Sequence, residues 1–204
     1  MFGPQVLESF TSSYSGKIEV RKLGRSIYVT TSGLTQSGGL INELWSKTFK
    51  KLPRSKLVNK RWLILGLATG TVAKIIAQKY APHQMVGVEI DPLMLEVGYN
   101  YFGLDQIPNL DIVTADANDY VHQTKQKFDW VIVDTYIGEQ LPEFVYDQKF
   151  LRTVKKLTQR AIFNHLFYDT GKKIKAETLV RQLKTLFPTL KLHRELTNLL
   201  VICG

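Results

Sequence analysis

Four short stretches of this sequence place polar groups where chemistry could be done. Leu63-Ile64-Leu65-Gly66-Leu67-Ala68-Thr69-Gly70-Thr71 reads as an apolar strand entering a glycine-containing turn that opens a helix. Such a turn lets backbone approach a ligand with helix N-terminal amides facing it, although Gly-x-Ala-x-Gly also closes ordinary strand–helix turns. The next apolar run, Val86-Gly87-Val88-Glu89-Ile90-Asp91, ends in acids. A carboxylate at a strand end can accept both hydroxyls of a ribose. Glu89 is the candidate for that role, and Asp91, just before Pro92, reads as a helix cap. In Thr114-Ala115-Asp116-Ala117, Asp116 either takes the exocyclic amine of an adenine or caps the following helix. The fourth run, Phe128 to Asp134, again ends in an acid. One strand-end acid carries little weight. An ordered series of glycine turn, Glu89, Asp116 and Asp134 at one sheet edge describes a ligand site of an open α/β fold.

The elements that must position these residues follow from periodicity. Apolar runs at Trp62–Leu67, Met85–Ile90, Asp111–Thr114, Trp130–Asp134, Arg160–His165, Leu190–Arg194 and Asn198–Cys203 read as strands. Helical stretches near Gly70–Tyr80, Pro92–Phe102, Asp116–Gln123, Asp147–Leu157 and Lys173–Phe187 separate them. Short apolar strands alternating with helices predict a parallel sheet covered on both faces. The last two strands have no helix between them and are predicted to pair antiparallel. Ahead of this unit, Lys17–Arg21 and Ser26–Thr30 alternate apolar and polar around Leu23-Gly24-Arg25, the pattern of a β-hairpin. Gly33 to Gly39 reads as a loop, and Leu40, Ile41, Leu44, Trp45 and Phe49 form an amphipathic helix ending before Pro53. This divides the chain into an appendage, residues 1–52, and an α/β domain, residues 53–204.

At 204 residues with 44% hydrophobic content, the chain has enough apolar material for one packed core and no room for a second full domain. A single cysteine, Cys203, excludes an internal disulfide and a cysteine-cluster zinc site. The start Met1-Phe2-Gly3-Pro4-Gln5 lacks the basic and apolar regions of a signal peptide, and no apolar run has membrane-spanning length, so the expectation is a cytoplasmic protein without membrane partners. A formal net charge of +9 invites a nucleic-acid reading. Its distribution says otherwise: residues 89–147 hold twelve acids and two bases, a net −10, and the rest of the chain carries +19.

Taken together, Gly66-x-Ala68-x-Gly70, Gly87 to Pro92, Asp116-Ala117 and Asp134 resemble S-adenosylmethionine-dependent transferases of the class I methyltransferase fold. More narrowly, Tyr101-Phe102-Gly103-Leu104, Asp134-Thr135-Tyr136-x-Gly138-Glu139-x-Leu141-Pro142 and the N-terminal Tyr14 to Val20 are similar to the spermidine-synthase-like branch. The resemblance implies a Rossmann-like α/β fold, a seven-stranded mostly parallel sheet with an antiparallel last strand, and a small β-hairpin appendage. It further implies that Glu89 and Ile90 lie at the cofactor ribose and Asp116 and Ala117 at the adenine. Gly66, Ala68, Thr69 and Gly70 would pass beneath the amino-acid or aminopropyl end, with Gln36 near the cofactor from the N-terminal side. The implied cofactor is S-adenosylmethionine or its decarboxylated form. Asp134 is the candidate to bind the acceptor or remove its proton, and Tyr136 a pocket wall.

Two positions depart from the branch's pattern. Aminopropyltransferases carry an acid inside the glycine turn, where this chain has Thr69, and a second acid in the loop after the fourth strand, where it has Ile137. An isoleucine cannot pair with an amine, and a threonine suits the turn of ordinary methyltransferases. The sequence therefore leans to methyl transfer onto a small-molecule acceptor, with an amine in view. Aminopropyl transfer of the spermidine-synthase type is the alternative, and a non-catalytic binding module a third. The four histidines are scattered without metal-ligand spacing. Lys149–Arg194 holds twelve bases and two acids, for which a solvated helix face is preferred over nucleic-acid binding. Edge strands and the hairpin offer surfaces for a homodimer, as the resemblance implies.

Overall fold

A computed structural model describes residues 3–204. Its main sheet comprises β5 (Arg61–Leu65), β6 (Gln84–Glu89), β7 (Leu110–Thr114), β8 (Trp130–Val133), β9 (Ala161–Leu166), β10 (Leu190–Glu195) and β11 (Asn198–Cys203). The strand order is β10-β11-β9-β8-β5-β6-β7. Strands β5 to β9 pair in parallel, whereas β11 runs antiparallel to both its neighbours, β9 and β10. From β5 the chain steps outward through β6 and β7, then returns to lay β8 on the other side of β5. That reversal opens a crevice at the carboxyl ends of β5 and β8, where ligands of open α/β sheets bind.

Period-two alternation sorts the strand residues onto two faces. Leu63, Leu65, Val131, Val133 and Phe163 pack against α4 (Ala117–Gln123), α5 (Gln148–Leu157) and α6 (Thr170–Lys184). Trp62, Ile64, Trp130, Ile132 and Ile162 pack against α1 (Gly39–Lys50) and α2 (Thr71–Tyr80). Trp62 and Trp130, register partners on β5 and β8, stack with ring centroids 5.6 Å apart. Helix α1 therefore shares the core of the α/β unit through Leu44, Trp45 and Phe49, even though it precedes residue 53.

The N-terminal appendage is larger than the expected hairpin. The hairpin exists as β2 (Gly16–Leu23) and β3 (Ser26–Thr31), but it forms the middle of a four-stranded antiparallel sheet with β1 (Gln5–Ser12) and β4 (Leu34–Gly38). Strand β4 occupies the stretch read as a loop. Its Thr-Gln-Ser composition shows no apolar alternation because backbone pairing to β3 holds it, across a register shift at Val29/Thr30. Strand β1 is similarly hidden from pattern reading because most of its side chains are exposed. Ile18, Val20 and Val29 dock the appendage on Met94 and Val97 of α3 (Pro92–Val97), and Ser12 Oγ donates to Asp91 Oδ2 at 2.6 Å. The helix expected over Pro92–Phe102 ends at Val97 and continues as a π-helical turn, Gly98–Phe102.

Candidate active site

Asp134 follows β8 directly, and its amide donates to Leu65 O, carrying the β5–β8 ladder one residue further. Its carboxylate is partly buried between two donors: Asn164 Nδ2 reaches Oδ1 at 2.7 Å and Trp45 Nε1 reaches Oδ2 at 3.1 Å. Asn198 Nδ2 in turn donates to Asn164 Oδ1 at 2.8 Å, which sets the Asn164 amide with its NH₂ toward the acid. Burial pushes the Asp134 carboxyl up to about 6, against the two hydrogen bonds that favour its charged form. Tyr136 donates its hydroxyl to the Asn164 carbonyl at 3.1 Å. Burial, and then the neighbouring Asp134 charge, hold that phenol well above its ordinary value, which favours its neutral form.

Glu89, the last residue of β6, is also buried, and burial raises its carboxyl above the ordinary range. Backbone amides oppose that shift: Ala68 N donates to Oε2 at 2.7 Å and Asp91 N to Oε1 at 3.0 Å. Ala68 can aim its amide this way because its backbone is left-handed (φ 48°), uncommon outside glycine. Asp116 does cap α4, Oδ1 accepting from Asn118 N and Asp119 N, and it also lines the cavity below. Asp91 caps α3 by accepting from Leu93 N.

Two cavities converge on Asp134. The smaller, about 210 Å³, is lined by Gln36, Gly66, Ala68, Glu89, Ile90, Asp116 and Ala117, with Met94 and Phe144 as apolar walls. Thr135 lines it too, and its buried hydroxyl has no hydrogen-bond partner among the described residues. A buried acceptor at Glu89, a partly buried one at Asp116, an unpartnered hydroxyl and apolar walls suit an adenine nucleoside. The larger, about 460 Å³, lies between β4 and α1 on one side and the ends of β5, β8 and β9 on the other. Gln36, Gly66, Ala68, Asp134, Tyr136 and Gly138 border both.

Of the residues singled out in the sequence, Asp134, Tyr136, Gln36, Gly66, Ala68, Glu89, Ile90, Asp116 and Ala117 thus come together. Thr69 and Gly70 do not: they face a separate surface depression with Gly38, Asn42 and Lys74. The glycines also answer to packing before ligand. A Cβ at Gly66 would collide with the Asp134 carbonyl oxygen, and one at Gly70 would come within 2.5 Å of Leu104 Cδ1. His165 is buried, with Nδ1 on Leu166 O and Nε2 on the Tyr146 hydroxyl, and it borders neither cavity. No group of three metal-ligating side chains occurs among the described residues. Sequence reading missed Trp45, Asn164, Asn198 and Thr135. Asn164 had a signal, an amide inside the otherwise apolar Ala161-Ile162-Phe163, whereas Trp45 looked like any core residue of its helix.

Fold and site together define a class I methyltransferase-type α/β protein with paired cavities. The chain belongs to the spermine/spermidine synthase domain family, which residues 45–184 match. It is 34% identical over 101 residues to a polyamine aminopropyltransferase of Vibrio vulnificus, covering 48% of this chain and 34% of that protein. To the human eEF1A lysine and N-terminal methyltransferase it is 29% identical over 147 residues, covering 65% of this chain and 21% of that one. The chain thus spans about a third or less of these relatives' lengths. Among solved structures, human methyltransferase-like protein 13 in complex with SAH superposes with a TM-score of 0.66 at 24% identity, over 81% of this chain and 82% of that one.

Proposed function

We propose that this protein is an S-adenosylmethionine-dependent transferase that methylates an amine acceptor. The observation that carries the reading is the meeting of two cavities at one carboxylate, Asp134. A binding module needs one cavity; a transferase needs two ligands held in contact. Glu89 and Asp116 would accept from the ribose and adenine of the cofactor, and Gln36 would close over it from β4. When bound, the cofactor supplies a carbon made electron-poor by the adjacent sulfonium. Asp134 would receive the acceptor's ammonium as its counter-ion and take the proton that frees the nitrogen lone pair. A carboxyl raised to about 6 is a better base for that step than an ordinary one and is still ionised at neutral pH. Tyr136, its hydroxyl already committed to Asn164, would act as a wall that limits how the acceptor approaches.

Methyl transfer is favoured over aminopropyl transfer by the absence of extra acids. Ile137, which stands where the aminopropyltransferase pattern has a carboxylate, borders the smaller cavity as an exposed apolar side chain, whereas Thr69, at the other such position, borders neither cavity. Aminopropyl transfer, supported by the similarity to the Vibrio vulnificus protein, is the second reading. Calorimetry with both cofactors separates them: S-adenosylmethionine is expected to bind tighter, and tighter binding of the decarboxylated form overturns the methyl assignment. Asp134→Asn should abolish turnover while leaving cofactor binding within about threefold; unchanged turnover rejects the assigned role.

A further inference from the structure

The larger cavity has a lopsided lining. Asp134 is its single charged side chain among the described residues. Several polar side chains around it are engaged: Asn164 with Asp134, Asn198 with Asn164, Ser37 with Thr69 N, and Thr71 with Gly38 N. What remains facing the space is mostly aliphatic, Leu34, Leu40, Ile41, Leu44, Val72 and Leu166, with Thr35 and Gln36 as uncharged polar side chains among them. At its edge, Leu40 and Leu196 are 55% and 48% exposed, so the apolar lining continues to solvent.

We propose that this cavity takes a primary monoamine with an apolar body, an alkyl- or arylalkylamine, and discriminates against α,ω-diamines. The inference rests on the transferase reading above. One ammonium fits one carboxylate. A diamine carries a second charge, and with its first end on Asp134 its far end would lie against leucine and isoleucine with no carboxylate to meet it. An unpaired ammonium buried among aliphatic groups is strongly disfavoured. An apolar tail at the same place gains from burial, by about fourfold in affinity per methylene.

The test is calorimetry on the full chain saturated with 5′-methylthioadenosine, a stable uncharged nucleoside, at pH 8. Butylamine, hexylamine and phenethylamine are compared with 1,4-diaminobutane and 1,6-diaminohexane. Hexylamine is expected to bind at least about tenfold tighter than 1,6-diaminohexane, and about fifteenfold tighter than butylamine. Equal or tighter diamine binding, no dependence on tail length, or no monoamine binding to the nucleoside-loaded chain overturns the proposal. Failure of 5′-methylthioadenosine to bind instead removes the transferase reading, and the same amines titrated into the free chain still decide the cavity's preference. Leu40→Asp provides the converse. Leu40 sits on the exposed rim, where a carboxylate does not endanger folding, and the substitution should improve diamine binding about tenfold relative to hexylamine. An unchanged ratio counts against the aliphatic wall as the discriminating element.

Discussion

Asp134, the proposed acceptor-binding group, is a carboxylate whose environment pulls in two directions. Burial raises it to about 6 from an ordinary 3.8, while Asn164 and Trp45 stabilise its charge. Between those two values the folded state holds a proton that the unfolded chain has released, so this residue's contribution to stability falls as pH rises through the window. Asp134→Asn, which cannot titrate, should therefore gain on the parent by up to about 3 kcal/mol between pH 4 and pH 8. Urea unfolding of both proteins at the two pH values measures it, and an equal difference at both would contradict a buried charge. Trp45→Phe removes one of the two donors with little change in bulk. The acid limb of the pH–rate profile should move up by about one unit; an unmoved limb would leave Trp45 a packing residue only. At Glu89 both oxygens face backbone amides, so Glu89→Gln sets an NH₂ against an N–H. Nucleoside affinity measured by calorimetry should drop about thirtyfold.

At the scale of elements, the site depends on how closely β5 and β8 approach at their carboxyl ends. Gly66 leaves β5 in a left-handed conformation (φ 85°) against the Asp134 backbone, a contact that admits no side chain. Gly66→Ala combines backbone strain with a steric clash and should destabilise the fold by about 3 kcal/mol or more, read as a lower denaturation midpoint with unchanged slope. The glycine was visible in the sequence, but its reason was not: a ligand approach and a strand–strand approach call for the same residue. Strand β4 makes the complementary point. Its Gln36 was placed near the cofactor by resemblance, yet the strand itself went unread, because backbone pairing with β3 holds it where no hydrophobic alternation marks it.

Over the whole molecule the net charge of +9 separates into an acidic segment that furnishes Glu89, Asp116 and Asp134 and a basic remainder. Two of the five cations of α6 are locally paired: Lys172 with Asp169 and Glu139, at 2.8 and 3.1 Å, and Lys175 with Glu143 at 3.0 Å. Those pairs add little stability at an exposed surface, but they reduce the charge available to a polyanion. Short duplex DNA is accordingly expected to show no retardation in a mobility-shift assay at 150 mM salt; a complex surviving that salt would revive a nucleic-acid role. Among the described residues no helix is long and apolar enough to cross a membrane.

The alternation of apolar strands and amphipathic helices, the acids closing successive strands and the segregation of charge are local properties, legible in the order of residues alone. Each depends on residues a few positions apart, which periodicity and turn chemistry report directly. Which element covers which face is a different matter. Trp45 reaches Asp134 across 89 residues, Asn164 across 30, and Asn198 meets Asn164 across 34. A helix pattern announces a buried tryptophan, and a strand pattern a buried asparagine, without naming the partner of either. Long-range packing brings these side chains to one carboxylate, makes the appendage one wall of a second cavity, and turns mostly aliphatic side chains into that space.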